Sequence, residues 1–163
     1  MNRYLNQSAA ILRFVGCQKG YYGPDPFAAH AADAVMDTYE DFMTRIPKTA
    51  DGKPVLYAMF GDSAVSEETV AQMVEHRGKL WEAMTGLLGD KKYFGGDKPC
   101  IADFLVLSGV YSWERNTKGK EVQAHVYTAH KTKFADFAAL SAWADTMAAE
   151  LKDYLETRPG GTI

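Results

Sequence analysis

Cys100-Ile101-Ala102-Asp103-Phe104-Leu105-Val106-Leu107-Ser108-Gly109-Val110-Tyr111-Ser112-Trp113 is the stretch that decides the fold. From Ile101 to Trp113 only Asp103, Ser108 and Ser112 interrupt the apolar character. A helix that is hydrophobic on all sides belongs at the centre of a bundle. Its most apolar part, Phe104 to Val110, is far short of the roughly 20 residues a membrane-spanning helix needs. Asp103 stands out, because a buried carboxylate is costly unless hydrogen-bonded. Ahead of this helix, Lys91 to Pro99 carries Gly95 and Gly96 and reads as a turn.

Working outward, the rest of the chain is punctuated for helices. Ser8 precedes Ala9 to Val15 and Gly16 follows, which predicts a short helix with Ser8 as its N-cap and Gly16 at its end. Gly20 to Pro24 breaks the chain. Asp25 then caps a second helix with Pro26 at its first position, where a missing N–H does no harm. Its predicted buried stripe is Phe27, Ala31, Ala34, Val35, Thr38 and Phe42, with Asp33, Asp37, Glu40 and Asp41 mostly off it, and it ends near Ile46, before Pro47. Lys48 to Ser63 reads as a loop with an apolar patch at 55–60. Ser66 caps a third helix, with Glu67 and Glu68 placed to favour the helix dipole. Val70, Met73, Val74, Arg77, Leu80, Trp81, Met84, Leu87 and Leu88 follow at helical spacing. Residues 122–131 give a weaker helical pattern, and 134–154 a helical pattern containing a bend. No alternation of period two persists, so the chain is predicted to be an all-α bundle.

Composition narrows the partners. The 163 residues are 47% apolar, enough for a core, and carry 21 acidic against 18 basic side chains, a net charge of −3. That is no match for a phosphate backbone, so nucleic-acid binding is not expected; with no apolar run of spanning length, neither is membrane insertion. Cys17 and Cys100 form no CxxC pair, and His30, His76, His125 and His130 form no ligand pair, so no metal is expected. Two isolated cysteines suit a reducing compartment, hence a cytoplasmic protein.

Three segments together resemble the cytosolic glutathione S-transferases, of the alpha, mu, pi and sigma-like classes. Gln7-Ser8-Ala9-Ala10-Ile11-Leu12-Arg13-Phe14 is similar to the strand-to-helix turn that ends their thioredoxin-like half. Tyr21-Tyr22-Gly23-Pro24-Asp25-Pro26, with Asp33 to Thr38, resembles the linker and first helix of their helical half. Tyr93-Phe94-Gly95-Gly96, followed by Cys100-Ile101-Ala102-Asp103-Phe104, resembles the motif that opens their core helix. The closing Tyr154 to Pro159 is also similar. The resemblance implies a helical C-terminal domain over 25–163, a linker at 21–24, and at 1–20 the end of a glutathione-binding domain, with the strand before Gln7 and one helix.

The same resemblance implies roles. Gln7 and Ser8 would hold the γ-glutamyl carboxylate of glutathione, the co-substrate, at a helix N-terminus suited to anions; the residues alone favour Ser8 as a plain cap, a role compatible with the first. Asp37 would reach across a homodimer to the glutamyl ammonium, or be a solvated acid like its neighbours. Tyr39, Phe42 and Tyr111 are candidates to face an apolar co-substrate, although aromatics at this spacing are commonly core. Asp103 would be structural. Cys100 departs from the family's Ser or Thr, and a thiol is a weak acceptor, so half of the capping box at this helix start is expected to be lost. The family's thiol-activating Tyr, Ser or Cys belongs to a region upstream of Met1. The expectation is therefore a transferase whose complete form conjugates glutathione to electrophiles, or else a non-catalytic docking subunit with a partner chain covering its first helix.

Overall fold

The computed structural model describes residues 4–49, 51–55, 66–115 and 134–157. The predicted helix over 122–131, His125 and His130, most of the apolar patch at 55–60 and the tail beyond 157 lie outside the described residues. Among the described residues there are six helices and no sheet: α1 Ser8–Lys19, α2 Pro26–Thr44, α3 Glu67–Leu88, α4 Ile101–Trp113, α5 Ala138–Glu150 and α6 Lys152–Thr157. None of them is long and apolar enough to cross a membrane.

α4 is the axis, as its composition requires. It packs against α1, α2 and α5, while α3 closes the bundle against α2 and α5. Ala102, Val106 and Val110 are wholly enclosed by Val35, Met36 and Tyr39 of α2, Trp81 and Met84 of α3, and Leu140 and Met147 of α5. The enclosure is one-sided, however. Ser108 is exposed, and Phe104, Leu105 and Tyr111 are half-buried, so one face of the central helix lines open grooves.

Most helix signals are obeyed. Asp25 accepts the Phe27 and Ala28 N–H groups at 2.8 and 3.1 Å, and Ser66 accepts Thr69 N–H at 3.2 Å. The bend expected near the C-terminus falls at Leu151, between α5 and α6. Three details differ from the sequence reading. In α1 the N-cap is Gln7, with Ser8 the first helical residue. Gly16 does not end that helix; its bare Cα face lies against the Ile101 side chain, and Gly20, at φ 76°, is the true cap. In α2 the buried stripe is Ala32, Val35, Met36 and Tyr39, one position round from the predicted one, and Phe27 is 86% exposed. Two alanine-rich rows compete in that helix. The row that also carries Met36 and Tyr39 buries more surface and therefore wins.

Asp103 ties the bundle together. It is fully buried, yet its carboxylate accepts four N–H groups: Phe94 at 2.9 Å, Gly95 at 3.2 Å, Cys100 at 2.8 Å and the Trp143 indole at 2.8 Å. It thus fixes the turn before α4, the start of α4 and the middle of α5. The Trp143 ring meets Phe94 edge-on at 5.1 Å. Contrary to the expected loss of half the capping box, both halves are present: Asp103 accepts the Cys100 N–H, and the Cys100 sulfur faces the Asp103 N–H in place of a hydroxyl. The Ile101 N–H finds a further acceptor in the Tyr21 carbonyl, 2.8 Å away in the linker. Burial first, and then the neighbouring Asp103 charge, push the Cys100 thiol up to about 11.

Removing the Asp103 carboxylate would strand four donors. Asp103→Ala is expected to lower unfolding free energy by about 3–5 kcal/mol, and Trp143→Phe by about 1–2 kcal/mol, in urea denaturation followed by circular dichroism. A loss below about 1 kcal/mol for the alanine variant would contradict this role. Because the thiolate is the reactive form, an aromatic disulfide reagent should titrate only exposed Cys17 in the native chain, and buried Cys100 only after denaturation.

Candidate functional site

The candidate site begins where the chain enters α1. Gln7 has φ 68° and ψ 115°, a conformation L-residues with a side chain rarely adopt, and it makes no side-chain cap bond. The first intrahelical amide is that of Ile11, bonded to the Gln7 carbonyl at 2.9 Å. The N–H groups of Ser8, Ala9 and Ala10 therefore face outward at the positive end of the helix dipole. Gln7 and Ser8 are both exposed.

An apolar groove of 510 Å³ starts at this helix end. Ser8, Ala9, Ile11, Leu12 and Val15 of α1 form one wall; Phe104, Leu105 and Ser108 of α4 form the other. The Ser108 hydroxyl bonds back to the Leu105 carbonyl at 2.7 Å, which leaves little polarity on that wall. A second groove of 280 Å³ shares Phe104 and Ser108 and continues to Leu107, Tyr111, Leu151, Tyr154 and Leu155. Together they border the open face of α4 from the start of α1 to α6.

A polar clasp joins α1 to α2 across the linker. Arg13 Nε donates to Asp33 Oδ1 at 2.7 Å, and Arg13 Nη2 donates to Asp37 Oδ1 at 3.1 Å. The Tyr22 hydroxyl donates to Asp33 Oδ2 at 2.7 Å. Burial alone would raise the Asp33 carboxyl, but the bonds from Arg13 and Tyr22 and the Arg13 charge outweigh it and hold it below its ordinary value. The bond to Asp33 raises both the Arg13 guanidinium and the Tyr22 phenol. Sequence reading singled out none of these three residues for a role. Arg13 and Asp33 are 20 residues apart, and nothing in either helix pattern shows that the two will face each other.

The other candidates separate. Asp37 lies on the same side as Arg13 and is already ion-paired with it, although its side chain remains 74% exposed. Tyr39 is core: its hydroxyl is wedged against Gly109, and burial pushes it up to about 12. Phe42 sits at the α2–α3 side, its ring 5.4 Å from that of His76, whose Nε2 lies 2.8 Å from the Phe42 carbonyl oxygen. Only Tyr111 lines a groove on the open face of α4. The three aromatics thus do not form one pocket, because Tyr39 and Phe42 occupy faces of α2 turned away from that groove. No group of three His, Cys, Asp or Glu side chains able to hold a metal ion occurs among the described residues.

Comparison with known proteins gives a consistent result. Residues 51–150 match the model of the glutathione S-transferase C-terminal domain. The chain is 31% identical over 100 residues to hematopoietic prostaglandin D synthase of Gallus gallus, covering 61% of this chain and 46% of that one. It is 28% identical over 114 residues to glutathione S-transferase 1 of Ascaris suum, covering 68% and 52%. It spans about half the length of these curated relatives. Among solved structures, a monomeric glutathione S-transferase from the hookworm Necator americanus superposes with a TM-score of 0.78 at 27% identity, over 98% of this chain and 71% of that one. With the bundle, the core-helix motif and the family match all in agreement, the chain belongs to the glutathione S-transferase family and carries its C-terminal helical domain.

Proposed function

We propose that the protein to which this chain contributes conjugates glutathione to electrophiles, and that the chain supplies the γ-glutamyl end of the glutathione site together with the helical wall of the co-substrate pocket. The observation that carries this reading is the groove itself: it opens at the outward-facing amides of the α1 N-terminus and runs on between apolar walls. An anionic carboxylate suits the first, an apolar electrophile the second. On this reading Gln7 and Ser8 hold the glutamyl carboxylate. Asp37 reaches across the dimer to the glutamyl ammonium held by the partner subunit, sharing its charge with Arg13. Tyr111 belongs to the far end of the co-substrate groove. The nucleophile is the glutathione thiolate, activated by a residue of the thioredoxin-like half.

That half also gives a use for exposed apolar side chains outside the groove, Phe14 of α1 and Leu5 just before it. Residues 1–20 are then the end of the glutathione-binding domain, 21–24 the linker and 25–163 the helical domain. A homodimer that detoxifies electrophiles in the cytoplasm is the form this reading favours.

Because the chain offers one end of the site, reduced glutathione should bind it weakly, with Kd of about 1 mM or more. Amide resonances of residues 7–11 should move in a ¹H–¹⁵N titration, and Ser8→Ala should weaken binding about fivefold, the worth of one hydrogen bond. If those amides stay still while glutathione exceeds 1 mM by about tenfold, the reading is wrong.

A further inference from the structure

We propose that Asp33 is a positioning residue for the glutathione site: through Arg13 and Tyr22 it fixes the angle at which α1 presents Gln7 and Ser8. This rests on the glutathione reading above.

The argument is one of leverage. α1 is an uninterrupted helix of 12 residues, so its first turn moves as a rigid body with Arg13. Its C-terminal end is pinned to α4 by Gly16 against Ile101, by the Tyr21 carbonyl on the Ile101 N–H, and by the Tyr21 ring edge-on to Phe104 at 5.1 Å. Those contacts gather at the linker end. Ser8 lies eight residues away, about 12 Å along the axis. Toward the N-terminus, Ala9 and Leu12 touch the core only in part, and apolar contact has no direction. A pivot of about 10° at the linker would swing Ser8 by about 2 Å along that arm. Displacements of this size undo binding geometry.

The clasp opposes that pivot. Asp33 uses both carboxylate oxygens, one toward Arg13 before the linker and one toward Tyr22 within it, each at 2.7 Å. The carboxylate therefore spans the hinge on both sides. Arg13 extends the hold to Asp37, one turn along α2, at 3.1 Å. Two acids held by one planar guanidinium set an orientation as well as a distance; a lysine would set only the distance. Asp33 itself need not touch glutathione.

The test uses reduced glutathione on the chain itself, with Asp33→Asn, Asp33→Glu and Trp143→Phe. Trp143→Phe removes a bond from α5 to Asp103 and so lowers stability while leaving the Arg13, Tyr22 and Asp33 side chains of the clasp in place. Asp33→Asn should weaken glutathione binding about tenfold, as the Ser8 amide reports, while Asp33→Glu recovers to within about threefold. In residual dipolar couplings, α1 of the asparagine variant should no longer fit one rigid body with α2 to α5. Trp143→Phe should bind like the wild type. Wild-type affinity in Asp33→Asn, or equal weakening in Trp143→Phe, would overturn the proposal while leaving the glutathione reading intact. A wild-type chain that never responds to glutathione overturns that reading, and this proposal with it.

Discussion

A single buried carboxylate organises the bundle. Asp103 lies in the most apolar segment of the chain, where an unpaired charge would be prohibitive. The fold meets that demand by turning the Phe94–Cys100 segment back over the start of α4 and by bringing the Trp143 indole in from α5. The turn, the helix start and the packing of α5 are consequences of one requirement. Tyr93 extends the same turn by donating its hydroxyl to Glu150, and Lys92 lies over the Tyr93 ring at 4.7 Å. The thiol of Cys100, neutral and enclosed, is tolerated in the capping box because Asp103 and the Tyr21 carbonyl take the N–H groups that matter.

A second carboxylate works at the surface and to a different end. Asp33 is partly exposed, so its pairing with Arg13 adds little to the stability of the bundle. Its effect is geometric. The linker at Gly20–Pro24 could let α1 drift, yet a guanidinium, a phenol and a carboxylate close it within hydrogen-bonding distance. The two carboxylates thus divide the labour, Asp103 holding the helical domain together and Asp33 orienting the helix that leads into it. A buried charged pair, Arg77 with Glu114, lies between α3 and the end of α4, with Arg77 3.4 Å above the Trp113 ring and the Trp81 indole donating to Glu114 at 2.8 Å. It shows the same economy, since buried charge survives here only with several partners.

The face of α4 that stays open is where the proposed function meets the fold. An apolar helix with one uncovered side is a poor structural choice for an isolated bundle, and a good one for a wall of a binding site. The grooves along Phe104 and Ser108 start at the α1 N-terminus and end at α6, so the chemistry expected there runs from an anion-binding end to an apolar end.

How much of this was legible in the sequence follows from the range of the interactions. Local rules fixed the helices: Asp25 and Ser66 as caps, Pro26 at a first turn, a bend somewhere in 134–154, and the apolar run that made α4 central. The Gln7-Ser8 and core-helix motifs carried the family. What sequence could not supply was long-range geometry. Which of two adjacent rows of α2 turns inward depended on the surfaces it would meet, so Tyr39 went to the core and Phe27 to solvent. Gly16 reads as a helix stop in one dimension, but in three it is the bare spot that lets α1 lie on Ile101. The Arg13–Asp33–Tyr22 clasp joins residues as many as 20 apart, and only the packing of α1 beside α2 brought them together. The sequence by itself determined which segments are helical and which one is central, because caps, breakers and periodicity act over a few residues. Tertiary structure alone decided which side chains share a site, because that depends on how the helices rotate and cross to bury the most apolar surface.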